Sequence, residues 1–312
     1  MPAQRPLIPP GLAIFFGILA VSTASIFIRY AQQEAPSLVI AAWRLSLAAL
    51  ALAPLALARH HRELRALTRK ELGLALLSGI FLAIHFATWI SSLEYTSVAS
   101  SVVLVSTTPL WVAIIAPFTL KERAGRWVIW GLALALSGGL VVGLSDACSW
   151  GASGLACPPL AGFVQGKAFL GDLLAIAGAM AGASYLLIGR RLRSLRNPPL
   201  SLVSYIFVVY GVAALVLIGI MLAAGHSPFG YAAPTYVWFI LLALVPQLIG
   251  HSTFNWALGY LSAAFVSITL LGEPIGSTIL AYILLQEAPS GLKIFGAVLI
   301  LAGIYIASRG QK

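Results

Sequence analysis

The chain has 312 residues, of which 60% are hydrophobic and only 9% are charged, and its mean hydropathy is +0.96. Soluble globular domains do not have so apolar a composition, so the sequence indicates a membrane protein. The formal net charge of +10 would suit nucleic-acid binding only if the basic residues clustered on one folded face.

Apolar runs separated by short polar segments predict an all-α membrane protein with ten transmembrane helices. Each span needs about 20 apolar residues, and lipid offers backbone groups no partner outside a helix or a closed barrel. The alternating pattern of a membrane barrel is absent. The predicted helices cover residues 11–29, 37–57, 72–92, 97–119, 126–145, 170–189, 201–223, 235–258, 262–284 and 291–307.

The first predicted helix also has features of a signal peptide, because Arg5 precedes an apolar run that contains small residues. The run continues through Ile28, which is longer than the roughly 7 to 15 apolar residues of a signal peptide. Its removal would leave the first half of the chain one helix short of the second. We therefore expect this segment to remain as the first span.

The basic residues sort by side of the membrane. With the N-terminus inside, cytoplasmic segments hold 15 of the 19 Lys and Arg residues, whereas Arg29, Lys167 and Lys293 lie outside and Arg44 lies within a helix. This bias indicates a bacterial inner-membrane protein with both termini cytoplasmic, and it argues against nucleic acid as a partner. The fifteen are Arg5, Arg59, Arg62, Arg65, Arg69, Lys70, Lys121, Arg123, Arg126, Arg190, Arg191, Arg193, Arg196, Arg309 and Lys312.

Two stretches of the chain align without a gap at an offset of 165 residues. Residues 84–138 and 249–303 are identical at 16 of 55 positions. Apolar composition raises the number of chance matches, but it does not explain paired Tyr, Pro and Glu residues in one register. These pairs are Tyr95 with Tyr260, Pro109 with Pro274, and Glu122 with Glu287.

Five helices per half is an odd number, so the second half must enter the membrane from the opposite side. Secondary transporters use such inverted repeats to build two gates around one midplane site. We expect a first repeat over residues 1–145, a periplasmic connector over 146–169 and a second repeat over 170–312. The connector contains Cys148 and Cys157, which either form a disulfide in the oxidising periplasm or stay two unlinked thiols.

Polar side chains within the predicted helices indicate a functional site, because such residues are costly in lipid. Predicted helix three sets His85 and Trp89 on one side, and predicted helix eight repeats polar residues at i+4 steps along one face. These two helices are repeat mates, so their stripes would face each other across a cavity. With helices four and nine, the predicted substrate-cavity residues are His85, Trp89, Thr108, Trp111, Gln247, His251, Asn255 and Glu273.

Two intramembrane charges need separate interpretation. Glu273 precedes Pro274, whose ring frees a backbone carbonyl one turn upstream. The acid is therefore a proton-titrating carboxyl, a buried partner of Arg44, or a group near water without a transport role. Arg44 is interpreted as structural, pairing with an acid or bonding to freed carbonyls.

The sequence contains no recognised catalytic, metal-binding or nucleotide-binding motif. Residues 162–167 read GFVQGK, one residue too short for a phosphate-binding loop and followed by Ala168 instead of Ser or Thr. The motifs HExxH, GxSxG and paired CxxC are also missing. We therefore expect a non-enzyme with no catalytic residue, no metal and no cofactor, driven by a gradient.

The two copies resemble a known family. The segments TTPLWVAIIAPFTLKERAGRWVIWGLALALSGG and GEPIGSTILAYILLQEAPSGLKIFGAVLILAGI are similar to the paired domains of the EamA type in the drug/metabolite transporter superfamily, and the resemblance covers essentially the whole chain. It implies a secondary transporter, usually an exporter in bacteria, with a central cavity between helices one, three, four, six, eight and nine. The signature residues are Pro109 to Glu122 with Gly131 and Gly138, and Pro274 to Glu287 with Gly296 and Gly303.

Within the superfamily, the chain is similar to the YddG-type aromatic amino-acid exporters. Aligned through the segment from Ser92 to Tyr95, His85 falls where that branch carries an aromatic cavity residue. Thr108 replaces the aromatic residue that precedes the helix-four proline in that branch, which favours a broader substrate range. Relatives that carry sugar phosphates need cationic groups, and only Arg44 is available for that role.

These observations lead to three functional hypotheses. The first is an inner-membrane exporter of aromatic and other neutral amino acids by alternating access, a monomer whose partners are its small-molecule substrate and the lipid bilayer. The second is an extruder of drugs, lipophilic cations or other metabolites, for which Glu273 is the acidic binding group. The third is a membrane-embedded enzyme, which the missing nucleophile and metal motifs disfavour.

Overall fold

The computed structural model describes residues 8–96, 101, 104–147, 149–151, 154–156, 167–285 and 291–309. Nearly all of this described part is helical, which confirms the predicted helical class. The exception is a short antiparallel hairpin in the predicted connector, which pairs Ser149–Gly151 with Gly154–Ala156. Cys148 and Cys157 lie outside the described residues, so their pairing stays a prediction.

Each of the predicted spans overlaps a helix. Within the described residues, six helices are long and apolar enough to cross a membrane, and four apolar helices are shorter, so the ten-span arrangement remains a prediction. A short helix, His61–Arg65, precedes α3. In chain order the main helices are α1 (Pro10–Ala31, with a turn at Thr23), α2 (Ser37–Arg59), α3 (Arg69–Tyr95), α4 (Thr108–Thr119), α5 (Arg126–Ala147), α6 (Lys167–Arg190, extended by wider turns over Arg191–Leu195), α7 (Leu202–Ala223), α8 (Ala233–Ala257), α9 (Ala263–Thr269 and Glu273–Leu285, joined by Leu270–Gly272) and α10 (Gly291–Ser308).

Both helices that carry the repeated proline are interrupted just ahead of it. The chain turns at Thr107 before Pro109, and a tighter turn over Leu270–Gly272 precedes Pro274. Proline lacks an N–H and its ring crowds the preceding turn, so a helix tends to break there. The predicted helix 97–119 is accordingly interrupted, and part of its N-terminal stretch lies outside the described residues.

The helices of the two halves pack against each other throughout. The main contacts pair α3 with α6, α2 with α7, α5 with α10, α1 with α8, and α4 with the first segment of α9. Under the 165-residue repeat, α1 corresponds to α6 and α3 to α8, so the α1–α8 contact is the counterpart of the α6–α3 contact. The core of the molecule is therefore shared between the halves.

Glycines line the contact between α5 and α10. A Cβ atom added to Gly131 would lie 2.5 Å from the carbonyl oxygen of Gly303, and one added to Gly138 would lie 2.6 Å from that of Gly296. The residue numbers rise along α5 as they fall along α10, so the two helices run antiparallel. Small residues at such crossings let two backbones approach closely.

One end of the bundle is held by ion pairs between the halves. Arg190 at the end of α6 donates from Nε to the Glu122 carboxylate at 2.8 Å, and Arg196 donates from Nε to the Glu71 carboxylate at 2.6 Å. Glu71 also closes a capping box with Thr68 at the start of α3. These contacts join the C-terminal end of α6 to the loop after α4 and to the start of α3.

The opposite end of the bundle has its own polar contacts. Thr235 donates to Glu34 at 2.7 Å, which joins the start of α8 to the loop after α1. Thr96 donates to Asp172 at 2.9 Å, which joins the end of α3 to the start of α6. Each of these contacts joins helix ends or loops that the sequence predicts to lie on the same side of the membrane.

Candidate functional site

A cavity of about 60 Å³ lies where α1, α2, α3, α4, α8 and α9 meet. The interrupted stretches of α4 and α9 form one side of the cavity, so irregular helix backbone lies next to it. Its apolar wall consists of Val21, Ala24, Val105, Pro109, Leu270 and Leu271. Its polar and aromatic wall consists of Arg44, His85, Trp89, Ser106, Thr108, His251 and Glu273.

The structure brings five of the eight predicted residues together on this wall: His85, Trp89, Thr108, His251 and Glu273. The other three lie elsewhere. The helices differ in one respect from those that the family resemblance implied, since α2 reaches the cavity and α6 lies behind it. The geometry places these side chains, while their role in binding a substrate stays a prediction.

Gln247 and Asn255 do not line the cavity, although the i+4 pattern predicts one shared face with His251. Both are fully buried. Gln247 bonds to α2, and Asn255 donates to the hydroxyl groups of Tyr185 and Tyr210. Gln247 lies within a run of wider, π-type turns over Ala243–His251, and i→i+5 turns move it out of line with His251. Asn255 lies in the regular helix beyond these turns and also donates to the His251 carbonyl oxygen at 2.8 Å.

Trp111 also lies off the cavity wall. Its ring is half-buried on α4, and its Nε1 donates to the Thr107 hydroxyl at 3.3 Å, one turn upstream. This contact reinforces the turn that interrupts the helix before Pro109. The tryptophan was predicted from its spacing to Pro109, which fixes its height in the membrane but not the face on which it lies.

His85 is held in one orientation by α6. Its Nδ1 lies 2.8 Å from the carbonyl oxygen of Gly178, and because a carbonyl only accepts, Nδ1 carries the proton. A Cβ atom added to Gly182 would lie 3.0 Å from this nitrogen, so glycine is what lets the ring reach α6. The neutral ring then presents Nε2 as an acceptor.

Aromatic rings surround His85. The rings of His85 and Trp89 stack with centroids 5.9 Å apart and an interplanar angle of 20°. Phe86 contacts His251 edge to face at 5.2 Å, and these two are repeat mates at the 165-residue offset. The Nε1 of Trp89 is buried and has no hydrogen-bond partner among the described residues. This surface can hold a flat apolar group.

Thr108 and Glu273 are also repeat mates, one at each helix interruption. The Thr108 hydroxyl donates to the Val105 carbonyl at 2.8 Å, so it is occupied by its own turn. Glu273 is half-buried on the cavity wall, and its backbone carbonyl accepts from Ser22. The cavity thus contains one acid at the point where α9 is broken.

Arg44 is the residue whose position differs most from the sequence interpretation. Its guanidinium is fully buried on the cavity wall and lies 4.2 Å from the centroid of the Phe86 ring. Its Nε donates to Gln247 at 2.8 Å, while Nη1 and Nη2 have no hydrogen-bond partner among the described residues. The stripe pattern missed Arg44 because its neighbours at i±4, Ile40 and Ala48, are apolar. Its intramembrane charge was the available signal.

Comparison with known proteins identifies the class. A solved crystal structure has the same fold, with a TM-score of 0.74, 18% sequence identity and coverage of 96% of both chains. A probable amino-acid metabolite efflux pump of Escherichia coli is 29% identical over 61% of this chain and 60% of its own. A pseudopaline exporter of Pseudomonas aeruginosa is 26% identical over 79% of this chain and 78% of its own.

The family itself is identified by direct match. The EamA-like transporter family matches residues 10–144 and again residues 169–309. The chain therefore belongs to the EamA-like transporter family, within the drug/metabolite transporter superfamily. It is a membrane transporter, as the resemblance in the sequence implied.

Proposed function

We propose that this chain is an inner-membrane secondary transporter that exports aromatic and other neutral amino acids by alternating access. The observation that carries the proposal is one cavity, bounded by both halves of the chain, whose wall combines the stacked rings of His85 and Trp89 with a buried cation and an acid. A small zwitterion with an apolar side chain complements each of these groups.

The architecture in this proposal is an inverted repeat of ten transmembrane helices, with repeats over residues 1–145 and 170–312. The antiparallel contact of α5 with α10 supports it, because Gly131 and Gly138 meet Gly303 and Gly296, which are each other's repeat mates. The two family matches support the same division. Broken helices beside a midplane site are common in transporters built this way.

The proposed orientation places both termini and the loop between α2 and α3 in the cytoplasm. The excess of Lys and Arg in these segments supports it. Arg190–Glu122 and Arg196–Glu71 then join the two halves on the cytoplasmic side. Opening of the cavity to the cytoplasm would require these contacts to separate, whereas the contacts of Glu34 and Asp172 would separate for release outside.

The relatives support efflux of metabolites, since one is named a probable amino-acid metabolite efflux pump and another a pseudopaline exporter.

A second candidate function is extrusion of lipophilic cations, which the acid Glu273 on the cavity wall favours. The two candidates differ in the group that they require. A cation extruder needs Glu273 alone, whereas an amino-acid exporter also needs a partner for the substrate carboxylate.

The test is flux in proteoliposomes with radiolabelled phenylalanine and threonine, with and without a pH gradient, alongside the lipophilic cation tetraphenylphosphonium. We expect the wild-type protein to move both amino acids. Glu273→Gln should reduce amino-acid flux at matched protein levels. Transport of tetraphenylphosphonium alone, abolished by Glu273→Gln, would replace the exporter with the extruder.

A further inference from the structure

We propose that Arg44 and Glu273 form a recognition site for the zwitterionic end of the substrate, with Arg44 holding the carboxylate and Glu273 the ammonium group. This inference rests on the proposed function. It names the residues that bind the carboxylate and ammonium groups, which all neutral amino acids share. It changes the interpretation of Arg44 from a structural residue to a binding residue.

Arg44 has the geometry of a carboxylate receptor that is already oriented. Gln247 fixes Nε at 2.8 Å, and the Phe86 ring supports one face of the guanidinium at 4.2 Å. Nη1 and Nη2 remain without a partner among the described residues. A guanidinium presents parallel N–H groups that match the two oxygens of a carboxylate, and fixing the fork in advance reduces the entropy lost on binding.

Glu273 offers the complementary charge on the same wall. Its side-chain oxygens accept no hydrogen bond and form no ion pair within the part of the chain that the structure describes, although its backbone carbonyl is bonded to Ser22. It lies at the break in α9, beside Leu270 and Leu271, which also face the cavity. A primary ammonium group is the small donor that suits such an acceptor.

The two charges share the cavity without neutralising each other directly. Among the described residues, no salt bridge within 4.0 Å joins Arg44 to Glu273. Charged groups buried without partners are costly. An α-amino acid carries a carboxylate and an ammonium group on the same carbon, so it can pair with both residues, whereas an amine or an acid pairs with only one of them. This arrangement therefore selects amino acids over both.

The same arrangement explains a broad substrate range. Arg44 and Glu273 bind the carboxylate and ammonium groups on the α-carbon of the substrate. The substrate side chain contacts the stacked rings of His85 and Trp89 and the small apolar residues Val21 and Ala24. Aromatic contact is tolerant of shape compared with paired charge recognition. Affinity thus comes from the common end and preference from the side chain.

The first test uses the wild-type protein and needs no substitution. Radiolabelled phenylalanine uptake into proteoliposomes is competed with phenylalaninamide, which lacks the carboxylate, and with 3-phenylpropionate, which lacks the ammonium group. We expect each analogue to compete about tenfold or more weakly than phenylalanine, as loss of a charge-assisted hydrogen bond predicts. Equal competition by either analogue overturns the assignment. Absence of any phenylalanine uptake would instead refute the proposed function.

The second test assigns each end to its residue. Arg44→Gln should abolish the preference for phenylalanine over phenylalaninamide but keep the preference over 3-phenylpropionate, and Glu273→Gln should do the reverse. These ratios are measured within one variant, so differences in expression cancel. Ile84→Ala, on the outer face of α3, is the control and should keep both preferences. If Arg44→Gln and Glu273→Gln insert and still prefer phenylalanine over both analogues, the proposal is overturned. If Arg44→Gln does not insert, the competition experiment with the wild-type protein tests the proposal.

Discussion

At the scale of single residues, His85 links the cavity to substrate binding most directly. Its protonated Nδ1 is committed to Gly178, so Nε2 accepts and the ring face stacks on Trp89. Charging the ring would place a further cation near Arg44 in a desolvated cavity. A neutral imidazole therefore serves as a stacking surface and a hydrogen-bond acceptor.

Replacement of His85 by Ala should weaken amino-acid transport while the protein still folds and inserts. Release as well as binding is required for export, so the loss should be modest, on the order of 1 to 2 kcal/mol, or about five- to thirtyfold in apparent affinity. Phenylalanine and threonine flux in liposomes at matched protein levels measures it. A loss of transport confined to phenylalanine would indicate that His85 stacks on the aromatic side chain. An equal loss for both amino acids would indicate that His85 contacts the amino or carboxyl group that they share.

The matched control for His85→Ala is Ile84→Ala, because Ile84 is the preceding residue on the same helix and is 37% exposed. It should transport both amino acids as the wild type does. Wild-type rates for His85→Ala would show that this residue is not part of the site. Loss of folding or insertion in His85→Ala alone would mark it as a packing residue.

A second residue-scale prediction concerns Glu63, in the loop between α2 and α3. Burial raises its pKa, but hydrogen bonds from the Ser201 and Ser204 side chains and from the Ser201 backbone outweigh burial, so the net pKa lies below the usual 4.5. A carboxyl with a depressed folded-state pKa stabilises the fold above its unfolded pKa, and this stability is lost as the pH falls through the folded pKa.

We therefore expect the melting temperature in detergent to fall as the pH is lowered from about 6 to below about 4. Glu63→Gln should make this pH dependence shallower, and Ser204→Ala should do so partly, because it removes one donor to the same carboxylate. An unchanged pH profile in Glu63→Gln would show that this contact does not contribute to stability.

At the scale of elements, the contact of α5 with α10 depends on glycine. Gly138→Ala would place a methyl group 2.6 Å from the Gly296 carbonyl oxygen, so one helix must move. We expect a loss of stability of about 1 to 3 kcal/mol, as for other overpacked contacts, read as a lower melting temperature in detergent. Gly139→Ala is the matched control, because nothing lies within 4 Å of its added Cβ. Equal melting of the two variants would contradict this packing.

The sequence predicted helix positions well, because apolar runs and their polar boundaries report directly on lipid contact. It also predicted the heights of His85, His251 and Glu273 along their helices. It failed where a helix departs from regular geometry. The wider turns over Ala243–His251 move Gln247 out of line with His251, and the turn at Thr107 interrupts the predicted fourth helix.

Arg44 shows a different limit of prediction from sequence. A periodic polar stripe predicts a cavity-facing helix, yet Arg44, an isolated charge among apolar neighbours, reaches the cavity from α2. Whether such a charge pairs with an acid depends on distances between helices far apart in the chain. In the structure it meets Gln247, more than 200 residues later, and leaves two nitrogens without a partner.

At the scale of the whole molecule, orientation in the membrane is the first prediction to test. In a background without Cys148 and Cys157, a cysteine at the exposed position Arg62 should be protected from an impermeant reagent added to intact cells. A cysteine at the exposed position Gln33, in the loop after α1, should be labelled. This pattern follows from the distribution of basic residues. Labelling at position 62 but not at 33 would reverse the topology.

The cavity shared by the two halves is proposed to carry amino acids across the membrane. Counterflow tests it most directly, since proteoliposomes preloaded with unlabelled phenylalanine need no ion gradient to take up the labelled form. We predict transient accumulation of labelled phenylalanine above that in protein-free liposomes, and threonine inside should also support it. Uptake that does not exceed protein-free liposomes, with protein that is folded and inserted, would contradict the account.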